Sequence, residues 1–291
     1  MDIPAMDDKV CVVTGATDGI GRQTARALAD AGATVGLIGR NREKGRQALE
    51  DLSATARHPQ RLRYFGADFG DLAQVRKLAA MLRDAYERID VLVNNAGAFY
   101  TRRYETGDGF EMSFQVNHLA PFLLTGLVFD LVRDAAPSRI VNVASGAHLG
   151  GHMDFGDLQS ARSYSGRRAY CQSKLANVLF TVELGRRAAD MGVTANAVHP
   201  GGVQTGLAQN NRGLFAFAVW LAGPLLLTSA QGADTVIGCA AAPDVAGISG
   251  KYFYRRAPAR VAAEATDSAI ATRLWSVSEA LTGNPFAAAG I

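Results

Sequence analysis

The chain is short of cysteine, net charge and long apolar stretches, and each shortage excludes something. Its three cysteines (Cys11, Cys171, Cys239) are odd in number and lack metal-ligand spacing. They read as reduced thiols of a cytoplasmic protein, not as a disulfide framework. His118, His148, His152 and His199 are scattered over several segments, so no metal is expected. A formal net charge of +3, without any basic run interleaved with aromatics, argues against a nucleic-acid partner. The opening Met1–Asp8 is acidic and has no apolar centre, so no signal peptide is expected. The single long apolar run, Leu214–Leu227, is interrupted by Gly223-Pro224 and falls short of the ~20 residues a bilayer span requires. It reads as a lid over an apolar pocket, with a membrane-contacting surface as the alternative.

What is present is an alternating pattern. With 291 residues, 48% hydrophobic, and 31 glycines, the chain suits one α/β domain, 1–291, with many tight turns. Strands are expected at Lys9–Thr14, Thr34–Gly39, Arg61–Ala67, Asp90–Val93, Arg139–Val143, Val193–Val198 and Lys251–Arg255. Helical spacing fills Arg22–Ala31, Asn41–Leu52, Leu72–Tyr86, a long stretch Gly109–Arg133, Ser229–Ala241 and Thr266–Leu281. Alternation without repeats or linkers predicts a doubly wound parallel sheet with helices on both faces. Ligands of such sheets bind at the carboxyl ends of the strands.

Two local patterns sit at those ends. The first strand runs directly into Gly15-Ala-Thr17-Asp18-Gly19-Ile20-Gly21 and then a helix. Glycines there let the backbone turn sharply and approach a pyrophosphate seated on the helix N-terminus. After the second strand stand Arg40-Asn41-Arg42, where a fold selecting NAD would carry an acid for the ribose 2′-hydroxyl. Guanidiniums match a 2′-phosphate instead, which favours NADP(H) over NAD(H).

Tyr170 and Lys174 lie four residues apart within the helical run Ala169–Phe180, which places them on one face with β-carbons roughly 5–6 Å apart. A neighbouring ammonium is expected to favour the phenolate and lower the phenol's pKa, giving a group that exchanges a proton near neutral pH. A surface lysine beside a half-buried tyrosine has the same spacing, so the rest of the chain must decide. Cys171 points about 100° away from its neighbour on a helix and reads as packing.

Taken in order, Thr14-Gly15-x-x-x-Gly19-Ile20-Gly21, Asp68, Asn94-Asn95-Ala96-Gly97, Asn117, Ser145, Tyr170-x-x-x-Lys174 and Pro200-Gly201 resemble the short-chain dehydrogenase/reductases, a Rossmann-type fold. Asp108-Gly-Phe-Glu111, Ala144-Ser-Gly-Ala-His148, Ala169–Phe180 and the 25-position gap from Ser145 to Tyr170 are similar to the retinol dehydrogenase-like subgroup. The resemblance implies a catalytic tetrad. Tyr170 would be general acid or base, and Lys174 would tune it and hold the nicotinamide ribose. Ser145 would hydrogen-bond the substrate oxygen, and Asn117 would hold a relay water. Gly15, Thr17, Asp18, Gly19, Ile20, Gly21, Arg40 and Asn41 would line the cofactor site. Asp68 and Phe69 would lie by the adenine, Asn95, Ala96 and Gly97 by the ribose, and Pro200, Gly201, Val203 and Thr205 by the nicotinamide. Asp18 departs from the NADP-selective pattern, since a carboxylate near a 2′-phosphate repels it.

The extra segment 146–168 is expected to form a substrate loop and 202–228 a lid. Phe99, Tyr100, Leu149, Phe155, Leu214, Phe215, Phe217 and Trp220 are candidates to line an apolar pocket. The implied activity is interconversion of an apolar ketone or aldehyde and its alcohol, with, as an alternative within it, a ketoreductase of a polyketide or other secondary metabolite rather than of retinoids. A catalytically silent cofactor sensor of the same fold is the alternative from another class. The family pairs through the helix bearing Tyr170 and the one before it, which implies a homodimer or homotetramer.

Overall fold

The computed structural model describes residues 3–203, 227–283, 285–287 and 290–291. Thr205 and the pocket candidates Leu214, Phe215, Phe217 and Trp220 lie outside the described residues, as does most of the expected lid.

In chain order the elements are β1 (Val10–Thr14), α1 (Gly19–Asp30), β2 (Thr34–Gly39), α2 (Arg42–Ser53), β3 (Leu62–Gly66), α3 (Leu72–Ala85) and β4 (Val91–Asn94). Then come α4 (Met112–Phe114), a π turn (Gln115–Leu119), α5 (Ala120–Leu127), α6 (Phe129–Arg133) and β5 (Ser138–Val143). The chain continues with α7 (Gly166–Arg187), β6 (Val193–His199), α8 (Ser229–Ala241), β7 (Lys251–Tyr254), β8 (Ala257–Pro258) and α9 (Ser268–Thr282). Among the described residues the strands form one eight-stranded sheet in the order β3-β2-β1-β4-β5-β6-β7-β8. Every neighbour pairs parallel except β7 with β8. That short antiparallel edge was not legible in the sequence, because two residues carry no periodicity.

Central strands buried on both faces explain the unbroken apolar runs. One face packs Val13, Val35 and Leu37 against Ala25, Leu28 and Val236 of α1 and α8. The other packs Val12, Ile38, Leu92 and Ile140 against Leu78, Phe122, Phe180 and Trp275 of α3, α5, α7 and α9. Chain order reverses between β1 and β4, which opens a crevice at their carboxyl ends.

Behind that crevice runs a buried polar ladder. Asn94 Nδ2 donates to Thr125 Oγ1 (2.9 Å) and Asn142 Oδ1 (2.9 Å), and Asn142 Nδ2 donates to Thr181 Oγ1 (2.9 Å). It ties β4, β5, α5 and α7 together at one level, just below the residues that face the crevice.

The expected helix 109–133 is broken. Gly109 sits in a turn at φ +83°, and Glu111 caps the short α4 through Ser113 N–H and Phe114 N–H. A π turn follows, and Val128 (φ −116°, ψ 11°) interrupts the helix before α6. Apolar periodicity alone does not reveal a one-residue register change of this kind.

Candidate active site

The glycine turn begins the site. Asp18 caps α1 by accepting from Gly19 N–H at 2.8 Å. A Cβ on Gly21 would lie 2.3 Å from the Gly15 carbonyl oxygen and 2.4 Å from Asn95 Nδ2, so this close approach admits only glycine. Thr14 Oγ1 accepts from both Asn95 N–H and Ala96 N–H at 2.9 Å. Asn95 Nδ2 donates to the Thr14 carbonyl at 2.8 Å. The end of β4 is thereby stitched to the end of β1, and the Asn95 amide nitrogen is taken up by backbone.

Two adjoining cavities share Gly15, Asp18, Ala96 and Gly97 and together form one cleft across the switch point. The first, of about 350 Å³, is lined also by Thr17, Arg40, Asn41, Lys44, Asp68, Phe69 and Tyr100. The second, of about 340 Å³, is lined also by Gly19, Ile20, Asn95, Ser145, Tyr170, Lys174, Pro200, Gly201 and Val203. Of the described residues expected at a cofactor, all reach the cleft except Gly21, which packs beneath the turn.

The charges of the first cavity differ from expectation. Arg40 Nη1 lies 3.8 Å from Asp68 Oδ2, and its guanidinium stands beside the Tyr100 hydroxyl. Arg42 is not on the cavity wall; its stem lies against Gly66 and its charge near Tyr64 of β3. The second cation is Lys44, whose ammonium sits 3.6 Å from Asp18 Oδ2. Asn41 caps α2 by accepting from Lys44 N–H at 3.0 Å. Helical side chains point back toward the N-terminus of their helix, so Lys44 returns to the strand end. Counting from the Asn41 cap would have found it.

In the second cavity Lys174, 3% exposed, donates from Nζ to the Val143 carbonyl at 3.0 Å. Its ammonium lies 5.7 Å from the centre of the Tyr170 ring. Burial brings Lys174 down to about 8. Burial likewise pushes the Tyr170 phenol up to about 12, against a smaller opposing hydrogen bond from Ser145. This corrects the expectation of a phenol lowered by its lysine. The pair shares one helical face, but the ammonium is engaged by a carbonyl, and removal of both groups from water outweighs their attraction. The phenol is held protonated, next to Ser145. Ser145 Oγ also accepts from Ala147 N–H at 3.2 Å.

Asn117 stands in the π turn, fully buried. Its Oδ1 accepts from Ala98 N–H (2.7 Å), and its Nδ2 donates to the Ala98 carbonyl (2.9 Å) and Ser173 Oγ (2.9 Å). Both N–H groups of the carboxamide are thus used, and Oδ1 accepts from one donor. A Cβ on Gly97 would lie 3.3 Å from Asn117 Oδ1 and 3.4 Å from Lys174 Nζ, so Asn117 and Lys174 converge on one glycine.

The apolar candidates separate. Phe99 meets the Tyr170 ring edge-on at 5.5 Å, whereas Tyr100 lies in the first cavity. Leu149 is 54% exposed, and Phe155 packs under the Arg273 guanidinium at 4.1 Å. The loop 146–168 is pinned to the loop after β4. Arg103 donates to the Gln159 carbonyl (3.1 Å), and Tyr164 Oη donates to the Tyr100 carbonyl (2.9 Å). Among the described residues no helix is long and apolar enough to cross a membrane. No three His, Cys, Asp or Glu side chains among them group as metal ligands.

Glycine turn, switch-point cleft and cations at its adenosine end fit a dinucleotide, and the ionisable groups opposite fit proton transfer. Such a fold places the protein among the dinucleotide-binding oxidoreductases. Residues 9–213 match the short chain dehydrogenase family. Human retinol dehydrogenase 13 is 44% identical over 283 residues, covering 94% of this chain and 85% of that protein. Human retinol dehydrogenase 11 is 42% identical over 277 residues, covering 95% and 86%. A solved Mycobacterium paratuberculosis structure superposes with TM-score 0.78 at 33% identity, covering 97% of this chain and 96% of that one. The Pseudomonas aeruginosa RhlG/NADP active-site complex gives TM-score 0.69 at 25% identity, covering 87% and 97%. The chain belongs to the short-chain dehydrogenase/reductase family, in its retinol dehydrogenase-like subgroup.

Proposed function

We propose that this protein is an NADP(H)-dependent reductase of apolar ketones or aldehydes, or a dehydrogenase of the alcohols, in which Tyr170 exchanges the proton. The observation that carries the reading is the placement of Tyr170: on the cleft wall with Ser145, and with the Lys174 ammonium 5.7 Å from its ring centre. A nicotinamide dinucleotide, when bound, supplies or accepts the hydride. Tyr170 then gives its proton to the oxygen of the carbonyl being reduced, and Ser145 donates a hydrogen bond to that oxygen while charge builds on it. Lys174 stabilises the resulting phenolate and so offsets the burial penalty that its formation incurs. Asn117 fixes the Ala98 backbone and Ser173 next to Lys174. Its two amide N–H groups are used, so a relay water would meet an acceptor there, Oδ1 or a main-chain carbonyl of the π turn.

The NADP(H) preference is supported by Arg40 and Lys44, two cations in the adenosine-side cavity. Lys44 also offsets the Asp18 carboxylate, which otherwise opposes a 2′-phosphate. The names of the similar human proteins favour a retinoid-like polyene over a polyketide as substrate. The silent-sensor reading lacks support, because Asn117, Ser145, Tyr170 and Lys174 are all present. We further take 1–291 as one domain, cytoplasmic, that assembles as a homodimer or homotetramer. NADPH oxidation with a panel of apolar carbonyls, all-trans-retinal included, tests the activity. Tyr170→Phe should lower turnover at least ~10²-fold with little change in NADPH affinity. A Tyr170→Phe enzyme of undiminished turnover would remove the assignment.

A further inference from the structure

His199 ends β6 immediately before Pro200-Gly201. Its Nδ1 accepts from Gly201 N–H at 3.2 Å. Its Nε2 lies 3.1 Å from the point where a Cβ on Gly146 would stand, so the turn after Ser145 comes up against the ring edge. The ring face stacks on its cross-strand neighbour Tyr254, with centroids 4.8 Å apart and planes 24° apart. One imidazole therefore separates two turns, Ser145-Gly146 and Pro200-Gly201, and both Ser145 and Gly201 line the second cavity. On its far side the Gly201 turn is braced by Leu227, whose N–H donates to the Gly202 carbonyl at 2.8 Å. A second histidine supports the first turn from beneath. His148, fully buried and 4.5 Å from the Tyr252 ring, donates from Nδ1 to the Ser145 carbonyl at 2.7 Å.

We propose that His199 is a positioning residue whose imidazole sets the spacing of the Ser145-Gly146 and Pro200-Gly201 turns, and so governs how tightly the nicotinamide end of the cleft holds a dinucleotide. The inference rests on the reading that the cleft takes such a cofactor.

The chemistry follows from the ring. To accept from an N–H, Nδ1 must be bare, so the single proton resides on Nε2. A second proton would turn N–H toward N–H and release the Gly201 turn. Among the described residues, the titratable groups facing His199 are His148 from the 146–150 turn and Tyr252 and Tyr254 from β7, with the Arg255 guanidinium 5.2 Å from the Tyr254 ring centre. None of these is an anion that would hold an imidazolium in place. Burial and the neighbouring His148 both lower the pKa of His199, so the tether persists at neutral pH and fails in acid.

The test is calorimetric titration of the full chain with NADPH and with 2′,5′-ADP, which fills only the adenosine end. His199→Phe keeps the stacking and loses the acceptor; His199→Asn keeps an acceptor and cannot become charged. His199→Phe should weaken NADPH about 5- to 30-fold while 2′,5′-ADP stays within about twofold, and His199→Asn should restore most of the NADPH affinity. In the wild type, the NADPH to 2′,5′-ADP affinity ratio should hold steady near neutral pH and fall only as the pH drops below the ordinary histidine value of 6.5, and that fall should vanish in His199→Asn. Wild-type NADPH affinity in His199→Phe, equal weakening of both nucleotides, or no rescue by asparagine would each overturn the proposal. Should His199→Phe fail to fold, a pH-independent affinity ratio in the wild type does the same. If the wild type binds neither nucleotide, the cofactor reading itself fails and this inference goes with it.

Discussion

The Lys174 ammonium donates to the Val143 carbonyl at 3.0 Å, on the floor of the cleft and 5.7 Å from the Tyr170 ring centre. A cation 3% exposed that donates to a backbone carbonyl, with no carboxylate against it among the described residues, works against the fold. The unfolded chain holds this proton up to the ordinary lysine value of 10.5, whereas burial makes the folded chain release it at about 8. The unfolded state therefore binds more protons between these values, and raising the pH through that window favours folding. Below about 8 the buried charge penalises the native state in full. Lys174→Met should accordingly abolish turnover yet raise Tm at pH 7 by about 2 °C or more, with the gain shrinking toward pH 10. A lower Tm at pH 7 in a thermal melt would show that the ammonium stabilises the fold.

The charges that bear on the proposed cofactor preference are Asp18 and Lys44, 3.6 Å apart, and Arg40 and Asp68, 3.8 Å apart. Both pairs are exposed, so neither contributes much to stability, and their charges are available to a ligand. Arg40→Ala should lower kcat/KM for NADPH about 10-fold or more and Lys44→Ala about 5-fold, the range of one or two charge-assisted hydrogen bonds. NADH should be nearly unaffected by either. Asp18→Asn keeps the helix cap and should widen the preference for NADPH. Equal kcat/KM for the two cofactors in the wild type would end this reading.

Asn142 carries the ladder that joins β4 to α7, accepting from Asn94 and donating to Thr181. Asn142→Ala removes a buried acceptor and a buried donor together and should destabilise the fold by about 2–3 kcal/mol, read from the urea midpoint. A change under ~0.5 kcal/mol would mean that the ladder is dispensable.

His118 lies fully buried among Phe114, Phe122 and Phe180, with Nε2 2.8 Å from Ser278 Oγ. Burial drives it from an ordinary 6.5 down to about 3. Unfolding then takes up a proton anywhere between these values, so stability falls as the pH drops from 6.5 toward 3. His118→Gln can still meet Ser278 and cannot become charged, and its stability should decline less steeply over that range. Parallel slopes in a pH series of urea melts would remove His118 from the account.

Features that depend on neighbours in the chain were legible beforehand. The turn Gly15–Gly21 between a strand and a helix, the four-residue step from Tyr170 to Lys174, and the order of the motifs all follow from local geometry. The doubly wound sheet follows from them by alternation. What the sequence by itself determined is therefore the set of side chains delivered to the carboxyl edge of the sheet. The break of 109–133 into α4, a π turn, α5 and α6 was hidden, because its apolar side chains suit an unbroken helix equally well.

The tertiary structure alone decided what those side chains are. Tyr170 and Lys174 share a helix face, yet their protonation depends on Val143 and Ser145, which arrive from β5 and the turn behind it. Arg42 follows Arg40 by two residues in sequence, yet α2 turns it toward Tyr64 and returns Lys44 to Asp18. The Asn117 amide N–H groups were free on paper and are taken up by Ala98 and Ser173 in the fold. A pKa or a hydrogen bond is a sum over neighbours and over water removed, and in this chain those neighbours come from segments dozens of residues apart.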